Sequence, residues 1–319
     1  MSLNNQFGGQ HSITPVLLIV FNRPQLTAQV MRALQVARPV HLLVAADGPR
    51  TTHPGEAELC AVTRETVRSM INWPCNVHWK CSEQNLGCGM GPASAIAWAL
   101  ELFEQTIILE DDCVPHQDFF PFVEAMLNRY RDNPRVILVS GINVLKGRYA
   151  LPFSYGFSRY TLTWGWATWR RAWKHYDYEI KLWPAMHSAG LLLEILGERR
   201  EAEYWTYNFN ATELNSHDVW DYQLHLAMWA HGMYSVYPAT NLITNIGVEG
   251  THFNSARPMH NLPTAPLPAP LTHPPIVYRD TLADTIIRRT WYLPSMGDRV
   301  QNKLRRLALL FGFNMGVTR

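Results

Sequence analysis

The sequence predicts an α/β fold in which a mostly parallel, Rossmann-like sheet is flanked by helices. Between residues 14 and 140, short apolar runs rich in β-branched residues alternate with longer segments whose apolar residues recur at helical spacing. Repeated strand–helix units of this length favour a parallel sheet with helices on both faces. The chain has 319 residues, of which 47% are hydrophobic and 17% charged, so it is long enough for one large domain or two smaller ones.

The predicted elements follow one another in chain order. The apolar runs predict strands over residues 16–21, 40–46, 75–81, 106–109 and 136–140. The segments with helical spacing predict helices over residues 24–37, 56–71, 92–104 and 117–130. Pro24 suits the first turn of its helix, because proline has no N–H for the helix to leave unpaired.

Polar side chains follow the first four of these strands. Ligands of such sheets bind at the carboxyl ends of the strands. The polar residues that the sequence places there are Arg23, Asp47, Asn85 and the run of Glu110, Asp111 and Asp112. These residues are therefore predicted to surround one ligand site.

The second half of the chain is less regular. Residues 216–232 (SHDVWDYQLHLAMWAHG) are predicted to form a helix that Ser216 caps, and Asp218 in its first turn would interact favourably with the helix dipole. His225 is predicted to share one face of this helix with Asp218 and Asp221.

Four parts are predicted along the chain. Residues 1–13 form a flexible leader and residues 14–255 the main domain. Residues 256–280 contain a run of prolines, which predicts an extended arm without a core of its own. Residues 281–319 are predicted to form a helical tail, in which residues 298–311 make a basic amphipathic helix.

Composition narrows the function classes. A net charge of +2 gives no reason to expect a nucleic-acid partner, whereas twelve Trp and thirteen Tyr favour a carbohydrate or nucleotide ligand. The five cysteines include no C-x-x-C pair, which argues against a disulfide framework or structural zinc. No apolar stretch is long enough for a membrane span, and no secretory signal is evident, so a cytoplasmic protein is predicted.

The run Glu110, Asp111 and Asp112 directly follows the apolar strand Ile107–Leu109. Three adjacent carboxylates repel one another, and their burial is costly unless a positive partner is present. One interpretation is an exposed loop whose acids cap the next helix. The other is a site for a hard cation, Mg²⁺ or Mn²⁺, which binds few protein carboxylates and completes its coordination with phosphate oxygens and water.

The segment from the apolar strand through Asp118, Phe119 and Phe120 resembles the metal-binding segment of N-acetylglucosaminyltransferase I and related nucleotide-sugar glycosyltransferases, whose fold is called GT-A. Four further segments resemble that family in the same order: PVLLIVFNRPQLTAQVMRAL, LTWGWATWRRAW, VWDYQL and GVEGTHF. The similarity extends from about residue 14 to residue 254. It implies that residues 14–255 form a GT-A domain.

The resemblance also implies roles for individual residues. Asp112 would ligate Mn²⁺ or Mg²⁺, while Glu110 and Asp111 would bind ribose, the donor sugar or metal-bound water. The nucleotide-sugar-binding residues would further include Arg23 at the diphosphate, Asp47 at the uracil base and Trp166 near the donor sugar. Asn85 joins this set because it follows a strand at the same edge of the sheet. Asp221 would be the catalytic base. His252 either is a structural histidine or closes the metal or phosphate site.

These roles describe a metal-dependent glycosyltransferase of the hexosyltransferase type. It would move a sugar from a nucleotide-diphosphate donor, expected to be a UDP-sugar, to the hydroxyl of a glycan or of a lipid-linked or surface-polymer acceptor, with inversion. The basic helix at residues 298–311 would either contact the inner face of the membrane or dock on the domain.

Two other functions remain open. A sugar-phosphate nucleotidylyltransferase shares the alternating sheet and the acidic site, but it would need a glycine-rich loop after the first strand, where this chain has FNRP. A non-catalytic nucleotide-sugar or glycan-binding protein would keep the pocket and lack the base. The sequence GCGMG at residues 87–91 does not match a dinucleotide-binding spacing and is predicted to be a turn leading into a helix, with N–H groups that could face a phosphate.

Overall fold

The computed structural model describes residues 12–215, 218–247 and 261–293. Within these residues the strands are β1 (Val16–Val20), β2 (His41–Ala46), β3 (Asn76–Cys81), β4 (Gln105–Glu110), β5 (Cys113–Pro115), β6 (Val136–Ser140), β7 (Tyr155–Ser158), β8 (Trp166–Trp169), β9 (Tyr234–Pro238) and β10 (Ile243–Asn245). The helices are α1 (Pro24–Ala37), α2 (Glu56–Met70), α3 (Gly87–Leu102), α4 (Phe119–Arg129), α5 (Arg170–Trp173), α6 (Trp183–Ser188), α7 (Leu191–Leu196), α8 (Arg199–Glu213), α9 (Asp221–Ala230) and α10 (Thr281–Ile287), which a π-helical turn, Arg288–Tyr292, extends.

Eight strands form the central sheet, in the order β3-β2-β1-β4-β8-β6-β9-β7. The first four strands in this order are parallel, while β8 and β7 run antiparallel to their neighbours. Strands β5 and β10 form a separate antiparallel pair. The α/β fold with a mostly parallel sheet flanked by helices is thereby confirmed.

The central strands of the sheet are buried on both faces. In β1, Leu17 and Leu18 have no exposed surface, and Leu18 lies between Val44 of β2 and Leu109 of β4. Strands covered by helices on both faces need apolar residues at successive positions, which explains their continuous apolar runs. The same register brings the carboxyl ends of β1, β2 and β4 together at one edge.

Two predicted helices begin at different residues in the structure. Helix α3 starts at Gly87 rather than near residue 92, so GCGMG forms its first turns instead of a preceding turn. Gly87 has φ of 80°, a value that glycine adopts without strain. Helix α9 starts at Asp221 rather than at residue 216. Both differences have the same cause, a contact of Asp218 that is described below.

The proline-rich arm is described from residue 261 onward. Leu267 in this arm is fully buried, and its N–H donates a hydrogen bond of 2.9 Å to Oδ2 of Asp118. The arm therefore packs against the main domain. His252 and the predicted helix at residues 298–311 lie outside the described residues. Across the part of the chain that is described, no helix has both the length and the apolar character needed to cross a bilayer.

Candidate functional site

A cavity of about 1350 Å³ lies at the carboxyl ends of β1, β2 and β4. It is larger than the roughly 300–1,000 Å³ typical of small-ligand sites, so it has room for an extended ligand. The predicted site residues that line it are Arg23, Asp47, Asn85, Glu110, Asp111, Asp112 and Asp221. The structure thus brings together residues that are up to about two hundred positions apart in the sequence.

Arg23 is the positive partner of the acidic run. Because β1 and β4 are parallel neighbours, the residues that follow these strands adjoin. The Arg23 guanidinium binds Asp111 through two of its nitrogens, and its Nη1 lies 3.0 Å from Oδ2 of Asp112. Both aspartates are almost fully buried. Burial raises the pKa of Asp111, and the charge of Arg23 opposes that shift.

Glu110, the first member of the run, has a strongly raised pKa. Burial is the main cause that raises its pKa to about 8, and the charges of Asp112 and Asp111 add to this effect. The charge of Asp221 contributes as well, so this carboxylate lies within electrostatic reach across the cavity. At neutral pH and without a ligand, Glu110 is therefore mostly protonated.

Asp112 is held from its other side by the β5–β10 pair. Asn245 of β10 lies opposite Cys113 in this pair, and its Nδ2 donates a hydrogen bond of 3.0 Å to Oδ1 of Asp112. At Gly247, a Cβ atom would lie only 2.2 Å from Oδ2 of Asp112, so only glycine leaves room for this carboxylate. Neither Asn245 nor Gly247 was predicted as a site residue, although Gly247 begins GVEGTHF, one of the segments that resemble the glycosyltransferase family.

The described residues do not enclose a metal ion by themselves. Within residues 12–215, 218–247 and 261–293, no three His, Cys, Asp or Glu side chains are grouped so that they could hold an ion. If Asp112 is the one carboxylate that ligates the ion, the ion must receive most of its other ligands from phosphate oxygens and water. Mg²⁺ is commonly bound in this way, through one or two carboxylates plus substrate phosphates.

Asp47 and Asn85 organise the loop between β3 and α3. Oδ1 of Asp47 accepts hydrogen bonds from the N–H of Gly48 at 2.8 Å and of Leu86 at 2.9 Å. Nδ2 of Asn85 donates to Oδ2 of Asp47 and to the Gly48 carbonyl, each at 3.0 Å. Burial raises the pKa of Asp47, whereas its backbone hydrogen bonds lower it. Asp47, which is predicted to bind the uracil base, thus also fixes the conformation of the loop between β3 and α3.

Two cations at this end of the cavity were not predicted from the sequence. Arg50 forms a salt bridge with Glu56, and its guanidinium lies 5.5 Å from the centre of the Phe21 ring. Nζ of Lys80 donates a hydrogen bond of 3.0 Å to the Ser94 carbonyl. Both residues line the cavity. They place two cationic side chains near Asp47, of which Arg50 is already paired with Glu56.

Asp218 caps helix α3, not the helix that follows it in sequence. Its carboxylate accepts hydrogen bonds from the N–H groups of Cys88 at 2.8 Å and Gly89 at 2.7 Å. A Cβ atom at Gly87 or Gly89 would lie 2.5 or 2.7 Å from its oxygens. The prediction that Asp218 occupies the first turn of its own helix is therefore wrong. The anion that faces the GCGMG backbone is a carboxylate of the protein itself.

Asp218→Ala should destabilise the protein by about 1 kcal/mol, the usual cost of losing a helix cap. Urea denaturation of the unliganded protein measures this change. Asp177→Ala is a matched control, because Asp177 caps only an exposed loop through the N–H groups of Glu179 and Lys181. A midpoint for Asp218→Ala equal to that of the wild type would contradict the capping role.

Asp221 stands at the start of α9, beside an aromatic wall. Trp220 and Trp164 line the cavity there. Trp166, predicted near the donor sugar, has no exposed surface and stacks behind Trp220, with ring centres 5.5 Å apart and planes 15° from parallel. In this structure Trp166 can act on a ligand only through Trp220.

His225 lies one turn after Asp221 in α9, as predicted, whereas Asp218 lies outside this helix and the His225 side chain is buried. It is 1% exposed, and its Nε2 accepts a hydrogen bond of 3.1 Å from the N–H of Thr161. Burial lowers the pKa of His225 to about 3, so the ring is neutral. Helix α9 is covered on nearly all sides, which the sequence could not reveal because the covering segments lie far away in the chain.

Comparisons with known proteins leave the family open. No protein-family model and no curated protein matches the chain. Among solved structures, UDP-glucose pyrophosphorylase complexed with UDP-glucose matches with a TM-score of 0.32 and 9% identity over 70% of this chain and 90% of its own. Mouse xyloside xylosyltransferase 1 in its apo form matches with a TM-score of 0.31 and 13% identity over 68% of this chain and 81% of its own. Similarity at this level assigns neither activity to the chain.

Proposed function

We propose that the chain is a metal-dependent glycosyltransferase that moves a sugar from a nucleotide-diphosphate donor to an acceptor hydroxyl with inversion. A UDP-sugar is the expected donor. The observation that supports this proposal most is the cavity, which has a cationic and amide-lined end near Asp47, an acidic run paired with Arg23 in its middle, and a carboxylate, Asp221, beside an aromatic wall.

The donor would lie along this cavity. Its base and ribose would occupy the end formed by Asp47 and Asn85, where Arg50 and Lys80 add positive charge. Its diphosphate would face Arg23, whose guanidinium can bind two oxygens of one ligand at once. Arg23 now neutralises Asp111 and Asp112, so donor binding would redistribute the contacts of this arginine.

Asp112 is the residue that would hold Mn²⁺ or Mg²⁺, together with the donor phosphates. Such an ion stabilises the negative charge that develops on a departing diphosphate. Asn245 orients the Asp112 carboxylate, and Gly247 leaves the space beside it open. His252 would complete the site, and it lies outside the residues that the structure describes.

Asp221 would take the proton of the acceptor hydroxyl as its oxygen attacks the anomeric carbon. A single in-line displacement requires one base within hydrogen-bond reach of that hydroxyl. The position of Asp221 at the start of α9 suits this role, because the aromatic wall beside it offers a surface for a sugar ring. The acceptor would be a glycan or a lipid-linked or surface polymer, and the tail at residues 298–311 would bring the enzyme to the inner face of the membrane.

Product analysis separates this proposal from the alternatives. The purified protein is incubated with a panel of nucleotide sugars and Mn²⁺, with and without candidate glycan acceptors. Release of free nucleotide supports the transferase, release of pyrophosphate with a sugar phosphate as co-substrate supports a nucleotidylyltransferase, and binding without turnover supports a binding protein. The loop after β1 leads directly into Pro24 without a glycine, which argues against a cradle for a triphosphate.

Binding of Mn²⁺ with UDP should release protons in the range between about pH 6 and 8. The pKa of Glu110 in the folded protein, about 8, lies above the usual value of 4.5 for a glutamate, so the unliganded protein carries this proton at neutral pH. A cation at Asp112 favours the charged carboxylate and expels the proton, so affinity rises with pH. Calorimetry in two buffers of different ionisation enthalpy measures the release.

Glu110→Gln is the matched variant for this measurement. It cannot ionise, so its affinity for Mn²⁺ and UDP should vary much less between pH 6 and 8. An equal proton release in the variant would show that the protons come from another group.

A further inference from the structure

The last described part of the chain forms a closing segment, residues 279–293, that lies outside the region resembling known glycosyltransferases. It consists of α10 and the π-helical turn Arg288–Tyr292. The Asp280 side chain begins α10 by accepting a hydrogen bond of 3.0 Å from the N–H of Ala283. Such π-helical turns are uncommon and occur frequently at functional sites.

Asp284 ties the closing segment to the sheet. This side chain is 1% exposed. It accepts hydrogen bonds of 2.7 Å from Oγ of Ser158, the last residue of β7, and from Nε of Arg279. A buried carboxylate must keep its partners to avoid a large desolvation cost, so these contacts fix where the segment lies.

A second buried carboxylate, Glu201 of α8, fixes the π-helical turn. Glu201 has no exposed surface and accepts hydrogen bonds from Nη2 of Arg159, at 2.6 Å, and from the Tyr160 hydroxyl. Nη1 of Arg288, in the π-helical turn, lies 3.4 Å from the same carboxylate. The shared carboxylate thereby ties the π-helical turn to α8 and to the residues that follow β7.

Tyr292 extends from this turn to the helix that carries the proposed base. Its hydroxyl lies 2.8 Å from the Thr161 carbonyl oxygen and 3.0 Å from Nε2 of His225, and it can donate its one proton to either acceptor. Nδ1 of the same histidine lies 3.2 Å from the carbonyl oxygen of Asp221. Tyr292 and His225 therefore connect the closing segment to the first residue of α9.

Trp291, the preceding residue, supports the aromatic wall of the cavity. Its ring packs edge-on against Trp164, with ring centres 4.7 Å apart. Trp164 lines the cavity, whereas Trp291 is not part of the lining. Oγ1 of Thr290 accepts a hydrogen bond of 2.6 Å from Nη2 of Arg148, which secures this part of the turn.

We infer that the closing segment is a positioning element of the site, in which Tyr292 fixes Asp221 through His225 and Trp291 fixes Trp164. The inference rests on the proposed function. Neither Tyr292 nor Trp291 touches the reacting atoms. Both act through a neighbour, and a displacement of about 1 Å in a base or in a substrate-binding surface can lower a rate by up to about a hundredfold.

The test compares four variants of the full chain with the wild type. Tyr292→Phe removes only the hydroxyl, Trp291→Ala removes the ring, and Trp291→Phe keeps an aromatic ring. Tyr278→Ala is the control, because Tyr278 precedes the segment and packs on Phe157, at 6.2 Å between ring centres, rather than on the cavity wall. The measurements are the kcat and KM for the most active UDP-sugar, the affinity for UDP with Mn²⁺, and hydrogen exchange at the Thr161 N–H.

A positioning role predicts a fall in kcat on the order of tenfold for Tyr292→Phe and Trp291→Ala, with UDP affinity unchanged. Trp291→Phe should restore most of the rate, and exchange at Thr161 should quicken in Tyr292→Phe. If kcat in Tyr292→Phe and Trp291→Ala equals that in Tyr278→Ala, the positioning role is overturned. It is also overturned if UDP affinity falls along with kcat in these two variants. Either result leaves the proposed function standing. Wild-type protein that binds UDP but turns over no nucleotide sugar overturns the proposed function, and the positioning role with it.

Discussion

Asp221→Asn is expected to lower acceptor-dependent turnover by about two to four orders of magnitude, the usual contribution of a general base. Asparagine keeps the size of the side chain but cannot accept the proton of the acceptor hydroxyl. Affinity for UDP with Mn²⁺ should stay near that of the wild type, because Arg23 and Asp112, the proposed partners of the diphosphate and the ion, are unchanged. Turnover at saturating donor and calorimetry with UDP measure the two effects separately.

Asp218→Asn is the matched control for this variant. The carboxylate of Asp218 is already engaged by the N–H groups of Cys88 and Gly89, and asparagine retains one oxygen that can accept such a bond. Turnover should therefore persist in Asp218→Asn. If this variant lost turnover with binding intact, the base would be Asp218. If neither variant lost turnover, an inverting mechanism with a base in this region would have to be abandoned.

Asp112→Asn is expected to weaken the Mn²⁺-dependent binding of UDP by at least about a hundredfold. The change removes the negative charge that an ion requires, and even the loss of a residue that only supports a metal ligand typically costs about 10- to 100-fold in affinity. The fold should stay intact, because Arg23 retains Asp111 as a partner. Calorimetry with UDP in the presence and absence of Mn²⁺ measures the effect.

Asp118→Asn makes the same chemical change outside the cavity. Asp118 is 1% exposed and accepts a hydrogen bond from the N–H of Leu267. Asp118→Asn therefore shows how much UDP affinity changes when a buried carboxylate is lost away from the cavity. UDP affinity with Mn²⁺ should be unaffected by it. An affinity that is equally unaffected in Asp112→Asn would mean that the ion is not held at the acidic run.

The sequence predicted the sheet and the position of the site because both follow from local patterns. The apolar run Ile107–Leu109 is a fully buried strand, and the acids after it lie at the edge of the sheet where parallel strands end. The alternation of strands and helices predicted that Arg23 and Asp112 lie at the same edge of the sheet. The structure shows that β1 and β4 are neighbours, which brings the two side chains into contact.

The sequence could not predict contacts between segments that are far apart in the chain. Asp218 looked like the cap of the next helix, whereas it caps a helix that begins 131 residues earlier, at Gly87. Asn245 reaches Asp112 only because β10 pairs with β5. Trp166 was assigned to the donor sugar, yet Trp164 lines the cavity. Trp166 begins β8 and is fully buried, whereas Trp164 precedes the strand, in a bend where Gly165 has φ of 63°.

The most direct test of the proposed site is the position of an ion in crystals grown with UDP and Mn²⁺. Anomalous scattering at the manganese edge locates the ion independently of the atomic model. The proposal predicts a peak at coordination distance, about 2 Å, from the carboxylate of Asp112, with the diphosphate between this peak and Arg23. Bound UDP without a manganese peak at Asp112, or a peak elsewhere in the cavity, would contradict it.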